Sequence, residues 1–251
     1  MNSSPVFCAI TALLCATAVH AVTPTELKPS IVLVHGALID GSAWRGVYDV
    51  LTHDGYHVSI VQQPLTGLDQ DVAATRRVLD QQPGAVILVG HSYGGAIITV
   101  AGADPKVRAL VYVAALQPDV GEKVGQPAPP NPAQANDFYV TPDGFGTLKP
   151  EKFGPDFCAD LPPAQIRFMT ESQVPVALSV FDTPVSVAAW RDKPSYFVLA
   201  TEDHALDPQA AQRMAERAGS KITRVKASHA VLISQPRAVA RVIETAAREV
   251  K

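Results

Sequence analysis

Short and nearly continuous apolar runs recur along the chain at the length of β-strands. Runs of this kind, rich in Val, Ile, Leu and Ala, are typical of strands buried on both faces of a parallel sheet. They lie at residues 31–34, 57–61, 85–89, 109–114, 196–200 and 222–225. Stretches with the apolar period of a helix alternate with them, at residues 44–51, 71–79, 96–103, 208–218 and 236–248. This alternation predicts an α/β fold with a doubly wound, mostly parallel sheet of about six strands.

Two of the predicted helices begin with recognisable start signals. Ser42 precedes the first helix, and we expect its side chain to cap that helix. Asp207 and Pro208 supply an N-cap and a proline at the first position of a later helix.

The stretch from about residue 117 to 194 interrupts the alternation. It is crowded with prolines, and only residues 164–174 have a clear helical pattern. It also holds much of the aromatic content of the chain, and aromatic side chains need apolar surface against which to bury. We therefore predict a cap inserted into the fold, over the carboxyl edge of the sheet where open α/β sheets bind ligands.

The N-terminal segment has the features of a secretory signal peptide. Residues 6–21 form an uncharged run of 16 residues that ends in Val19-His20-Ala21, with small residues at the −3 and −1 positions of a cleavage site. An uncleaved anchor is the alternative, but the run is shorter than the ~20 residues of a membrane span. We expect residues 1–21 to be removed, leaving a domain of residues 22–251 in the periplasm or outside the cell, without a stable membrane anchor.

Composition and charge exclude several classes of function. The chain is 47% hydrophobic and 18% charged, which is typical of a globular protein and not of a disordered one. Its net charge is −3 and its longest basic run is Arg76-Arg77, so we expect no nucleic-acid partner. The oligomeric state stays open.

We also expect no metal and no cofactor. The chain contains no CxxC or HExxH motif. Cys158 is the one cysteine outside the predicted signal peptide, and we expect it to be a small buried side chain.

The strand at 85–89 leads into Gly90-His91-Ser92-Tyr93-Gly94, and a helix follows. This is a G-x-S-x-G motif in its required context of strand, sharp turn and helix. The glycines leave room around a strained turn that exposes the serine hydroxyl. Ser92 is therefore the candidate nucleophile; the alternative is a glycine-rich turn selected only for close packing.

A serine hydroxyl needs a base, which in turn needs an orienting acid. His204 and His229 are the histidines downstream of Ser92, and His229 follows a predicted strand end while His204 adjoins the acid candidates. We predict His229 as the base and Asp203, 26 residues before it, as the acid. Glu202 is the second candidate for the acid.

The oxyanion formed in such a reaction needs preorganised N–H donors. We predict the amides of Tyr93, which follows the nucleophile, and Ala37, in the loop after the first strand. We expect His35 to fix that loop, and His91 and Ser228 to shape the site without taking part in the chemistry.

Four segments of the chain resemble the α/β-hydrolase superfamily: VLVHGALIDGSAW, VGHSYGGA, TEDH and ASHAVLISQP. The resemblance covers nearly all of residues 31–250. It is nearest to bacterial members of the esterase type and more distant to plant methylesterases and hydroxynitrile lyases, which share the HGA loop and a Trp several residues on, here Trp44.

The resemblance implies a serine hydrolase that cleaves carboxylic esters, with an apolar small-molecule ester as substrate and an acyl-enzyme as intermediate. It implies a catalytic triad of Ser92, Asp203 and His229, and oxyanion donors at Ala37 and Tyr93. A non-catalytic binding protein on the same fold, an amidase, a perhydrolase and a cofactor-free oxygenase stay open as alternatives.

Two related chemistries fit the sequence less well. The lyases of the plant group carry Thr after the loop histidine and Lys after the catalytic histidine, where this chain has Gly36 and Ala230. Without that lysine, no cation stabilises a departing cyanide. Dehalogenases carry Asp at the position of the nucleophile, where this chain has Ser92.

Overall fold

The computed structural model describes residues 28–128 and 136–250, so the predicted signal peptide lies outside the described residues. The strands are β1 Ser30–Val34, β2 Val58–Val61, β3 Val86–His91, β4 Val107–Val113, β5 Phe138–Val140, β6 Phe145–Leu148, β7 Val176–Ala177, β8 Ser195–Ala200 and β9 Lys221–Val225. Six of them form one parallel sheet in the order β2-β1-β3-β4-β8-β9. All six predicted strands are therefore present, and the predicted fold class is confirmed.

Helices cover both faces of this sheet. They are α1 Arg45–His53, α2 Leu68–Asp80, α3 Gly94–Ala101, α4 Pro150–Phe157, α5 Pro163–Glu171, α6 Pro208–Arg217, α7 Val231–Ser234 and α8 Pro236–Glu249. Alternate strand residues face opposite layers: Ile31 packs in one apolar cluster with residues of α1 and α8, and Val32 in another with residues of α2, α3 and α6. In the part of the chain that the structure describes, no helix is long and apolar enough to cross a bilayer.

The two predicted helix starts have different outcomes. Asp207 caps α6 by accepting hydrogen bonds from the amides of Gln209 and Ala210, as expected. Ser42 is not a cap, and that prediction is wrong. A 3-10 turn, Gly41–Trp44, precedes α1, and the side chain of Asp40 caps this turn by accepting a hydrogen bond from the amide of Ser42.

The chain between β4 and β8 is more regular than its proline content predicts. Helix α5 overlaps the predicted helical stretch at 164–174, but α4 and the three-stranded antiparallel sheet β5-β6-β7 were not predicted. Pro150 occupies the first turn of α4, where a missing N–H costs no hydrogen bond.

This inserted region, called the cap below, is attached to loops at the carboxyl edge of the main sheet. The amide of Val174 donates to the carbonyl of Leu38, and the amide of Ala177 to that of Leu65. The cap therefore covers the edge at which β1 and β2 end.

Candidate active site

The site lies where the chain reverses its direction across the sheet. From β1 the chain moves outward to β2 and then returns to β3 on the other side of β1. Loops that leave the sheet at such a point diverge and leave a crevice between them. Here the loop after β1 and the loop after β3 approach so closely that a Cβ atom on Gly36 would lie 2.7 Å from the Cβ of Ser92.

Ser92 lies on a strained turn between β3 and α3. Its φ is +54°, in the left-handed region that non-glycine residues rarely adopt. Side chains cannot be added around it, since a Cβ on Gly90 would lie 2.5 Å from the carbonyl oxygen of Gly94, and one on Gly94 would lie 2.6 Å from that of His35. The carbonyl of Ser92 also accepts a hydrogen bond from the amide of Leu116.

The structure brings the three predicted side chains into one hydrogen-bonded chain. The Oγ of Ser92 lies 2.8 Å from His229 Nε2, and His229 Nδ1 lies 2.7 Å from Asp203 Oδ2. The other oxygen of Asp203 accepts from the amides of Ala205 and Leu206, at 2.9 and 2.8 Å. Since a carboxylate accepts and Nδ1 must donate to it, the Nε2 atom is left free to accept the proton of the Ser92 hydroxyl.

The alternative acid and base lie elsewhere. Glu202 is exposed and forms an ion pair with Lys226 at 3.5 Å. His204 is also exposed, and its Nδ1 lies 3.1 Å from the carbonyl oxygen of Pro155. Neither side chain reaches Ser92.

His229 is enclosed by neighbours that fix its ring. The rings of Phe157 and His91 each lie 4.8 Å from it, centroid to centroid. His91 Nε2 donates to the carbonyl of His229, and burial lowers the pKa of His91 well below its usual range, so this neighbour is neutral. The hydroxyl of Ser228 bonds Asp160 of the cap. His91 and Ser228 thus support the loop that carries His229.

The predicted oxyanion donors are the backbone amides of Ala37, in the loop after β1, and Tyr93, next to the serine. Among the described residues, neither the N–H of Ala37 nor that of Tyr93 donates to a protein acceptor, whereas the nearby amides of Ser92 and Gly95 do. Ala37 and Ser92 line the same cavity.

The loop that carries Ala37 is held by His35. His35 Nδ1 donates to the carbonyl of Gly36 at 2.8 Å, and its Nε2 accepts from the amide of Gln63 at 3.3 Å. The side chain of Gln63 returns a hydrogen bond to the carbonyl of His35. This agrees with a structural role for His35, while Gln63 carries no signal in the sequence that would predict it.

The side chain of Tyr93 has a buried partner that the sequence analysis also missed. Its hydroxyl donates to Asp71 Oδ2 at 2.7 Å, and Asp71 Oδ1 accepts from the amide of Leu65. Burial raises the pKa of the Asp71 carboxyl, although these hydrogen bonds oppose the shift. Asp71 therefore anchors the side chain of Tyr93, whose amide is the second predicted oxyanion donor.

Above Ser92 and His229 is a cavity of about 320 Å³ between the sheet and the cap. Its walls are mostly apolar, and the cap contributes Gly125, Ala128, Phe138, Leu148, Phe157, Val176, Leu178 and Phe181. Asp137 and Asp156 also line it.

No cluster of three or more His, Cys, Asp or Glu side chains in the described ranges could hold a metal ion. Cys158 is free and buried, as expected, and burial raises the pKa of its thiol to about 12.

Comparisons with known proteins agree with this fold. An alpha/beta hydrolase (nvfD) of Aspergillus novofumigatus is 26% identical over 245 residues, covering 89% of this chain and 98% of that protein. A pyrethroid hydrolase of Sphingobium wenxiniae is 27% identical over 247 residues, covering 85% of each. The crystal structure of a pyrethroid hydrolase from Sphingobium faniae matches with a TM-score of 0.74 at 25% identity, covering 88% of this chain and 97% of that one. Residues 31–242 match the model of the alpha/beta hydrolase family, and the chain belongs to that family.

Proposed function

We propose that this protein is a carboxylic ester hydrolase in which Ser92 forms an acyl-enzyme. The observation that carries the proposal is the hydrogen-bonded chain from Ser92 through His229 to Asp203, placed at the wall of a cavity. The similarity to the two pyrethroid hydrolases supports the same class of reaction.

The geometry assigns a role to each group. His229 Nε2 removes the hydroxyl proton as Ser92 Oγ attacks the ester carbonyl. Asp203 keeps Nδ1 protonated and stabilises the imidazolium that forms. The amides of Ala37 and Tyr93 donate to the oxyanion of the tetrahedral intermediate. His229 then gives its proton to the departing alcohol.

Deacylation uses the same groups in the reverse direction. A water molecule attacks the acyl carbonyl while His229 Nε2 takes its proton, and the same two amides hold the second oxyanion. His229 returns the proton to Ser92 Oγ, and the carboxylic acid leaves.

We infer that the substrate is a small ester with a largely apolar body. A cavity of about 320 Å³ with mostly apolar walls encloses a molecule of modest size and offers few polar contacts along its length.

The test is the turnover of p-nitrophenyl esters by wild type, Ser92→Ala and Ser179→Ala, an exposed serine of the cap that serves as matched control. We expect Ser92→Ala to lower kcat by about 10³-fold or more and the control to keep wild-type activity. A fluorophosphonate should label wild type once, at Ser92. A protein that binds esters but neither hydrolyses them nor reacts with the fluorophosphonate would be a binding protein. Analysis of the products distinguishes ester hydrolysis from amide cleavage, perhydrolysis and oxygenation.

We also propose that residues 1–21 direct export and are then removed. The support is the uncharged run of residues 6–21 with small residues before the predicted cleavage site. Mass spectrometry of the protein from its native host should find a chain that begins at residue 22. Recovery of the whole chain from the cytoplasm would contradict this proposal.

A further inference from the structure

Asp137, in the cap next to β5, lines the cavity and has an unused acceptor on its side chain. Its side chain is only 7% exposed, and its Oδ1 lies 3.2 Å from the Nζ of Lys152. The Oδ2 atom is buried and has no hydrogen-bond partner among the described residues. Buried carboxylate oxygens in proteins are almost always paired, because an unpaired one has lost its hydration without replacement.

The fold itself does not need this oxygen. The backbone carbonyl of Asp137 accepts a hydrogen bond from the amide of Lys149, which ties the start of β5 to the end of β6 without the side chain. The side chain of Lys152 is 41% exposed, so water also stabilises its ammonium group. Asp137 therefore lines a cavity whose other walls are mostly apolar, and its Oδ2 is the side-chain acceptor that no described residue uses.

Asp156 places a second carboxylate at the same cavity. It lies on α4, four residues after Lys152, so both carboxylates share one nearby ammonium. Burial raises the pKa of Asp156; Lys152 opposes that shift, the negative charge of Asp137 adds to it, and His204 opposes it more weakly. This end of the cavity therefore has two carboxylates and only one nearby ammonium, so it has more hydrogen-bond acceptors than donors.

We propose that Asp137 Oδ2 forms a specificity subsite that binds a hydrogen-bond donor, a hydroxyl or ammonium group, on the part of the substrate away from the scissile ester. The proposal rests on the function proposed above, since it places the donor in the cavity that Ser92 and His229 share with Asp137. Asp156 supplies a second acceptor. The substrate class is thus an ester with an apolar body and one donor-bearing end.

The test uses p-nitrophenyl esters with acyl chains of increasing length. The series determines which chain length spans the distance from Ser92 to Asp137. Each chain ends in methyl, methoxy, hydroxyl or ammonium, and methoxy offers an acceptor without a donor. At the matching length, we expect wild type to prefer the hydroxyl or the ammonium ester over the methoxy ester by about 10- to 100-fold in kcat/KM.

Three variants assign that preference to the carboxylate. Asp137→Leu should abolish it, because two methyl groups replace the carboxylate oxygens on a side chain with the same branching. In Asp137→Asn the amide oxygen faces the Lys152 ammonium and the NH₂ group replaces Oδ2, so this variant should lose the preference for both donors over methoxy. Glu151→Gln, which removes an exposed carboxylate from α4, is the matched control and should leave the preference unchanged.

Two results would overturn the proposal: a wild type without donor preference at every chain length, or a preference that persists in Asp137→Leu. Calorimetric binding of the hydroxyl and methoxy esters to Ser92→Ala reads the same preference without turnover. If no ester is hydrolysed and Ser92 does not label, the proposed function fails, and this binding measurement still decides whether the subsite exists. If wild type hydrolyses every ester equally, the subsite fails and the proposed function stands.

Discussion

Replacing Asp203 with Asn tests the proposed mechanism at the atom that sets the protonation of His229. The two oxygens of Asp203 have different partners: Oδ1 accepts from two backbone amides, of Ala205 and Leu206, and Oδ2 faces His229 Nδ1. An Asn side chain must place its oxygen towards the two amides, because its NH₂ group cannot accept from them. The NH₂ group then points at Nδ1.

This orientation reverses the tautomer of His229. Nδ1 must accept from the Asn NH₂, so the ring proton moves to Nε2, and Nε2 no longer accepts the proton of Ser92 Oγ. We expect kcat/KM for p-nitrophenyl butyrate to fall by about 10⁴-fold, which is about 5.4 kcal/mol of activation free energy. The fold should persist, since the Asn oxygen preserves both amide hydrogen bonds.

Two controls make the outcome decisive. Thermal unfolding of Asp203→Asn should be close to that of wild type, and fluorophosphonate labelling of Ser92 should be slower in proportion to turnover. Glu202→Gln removes the exposed neighbouring carboxylate and should leave kcat/KM unchanged. An Asp203→Asn protein with more than about a tenth of wild-type activity would refute the tautomer argument, and a loss confined to Glu202→Gln would transfer the role of the acid to Glu202.

Two further predictions concern stability. A Cβ on Gly95 would lie 2.1 Å from the carbonyl oxygen of Leu116, so Gly95→Ala should cost about 1–3 kcal/mol in urea unfolding, and Gly84→Ala, with open space around it, should not; equal values would contradict the predicted clash. Burial lowers the pKa of His35 and His91 below their ordinary 6.5, so the unfolded chain binds more protons below that pH. The free energy of unfolding should therefore reach its full value above about pH 6.5, and below that pH it should fall by up to about 1.4 kcal/mol per pH unit for each histidine. A free energy of unfolding that stays constant from about pH 7 to 5 would contradict this.

The main sheet could be predicted because the continuous apolar composition of its strands indicates that they are buried on both faces. Residues 86–89 are all apolar and all fully buried, with neighbours on both faces, so no alternation was needed to recognise β3. The three residues of the proposed triad could be nominated for a related reason: each follows a recognisable strand at the edge where a parallel sheet exposes its loops.

The cap could not be predicted in this way. Its strands are two to four residues long, and their pairing is set by contacts distant in sequence, such as Gly146 with Val176. Strands this short carry no periodicity. Helix α4 contains Pro155 in its interior, which a pattern-based reading takes as a break. Pro150 at the start of α4 is a helix-start signal, but it could not be distinguished among the many other prolines of the cap.

Asp71 shows why the support of the site is harder to predict than its chemistry. An aspartate in the first turn of a helix ordinarily indicates no more than a favourable charge near the helix N-terminus. Here its two oxygens join the Leu65 amide to the Tyr93 hydroxyl, across 22 residues of sequence from Tyr93. The nucleophile has a local motif because its turn requires glycines at fixed spacing. The residue that holds the adjacent amide has none, because packing of α2 against α3 alone brings the two together.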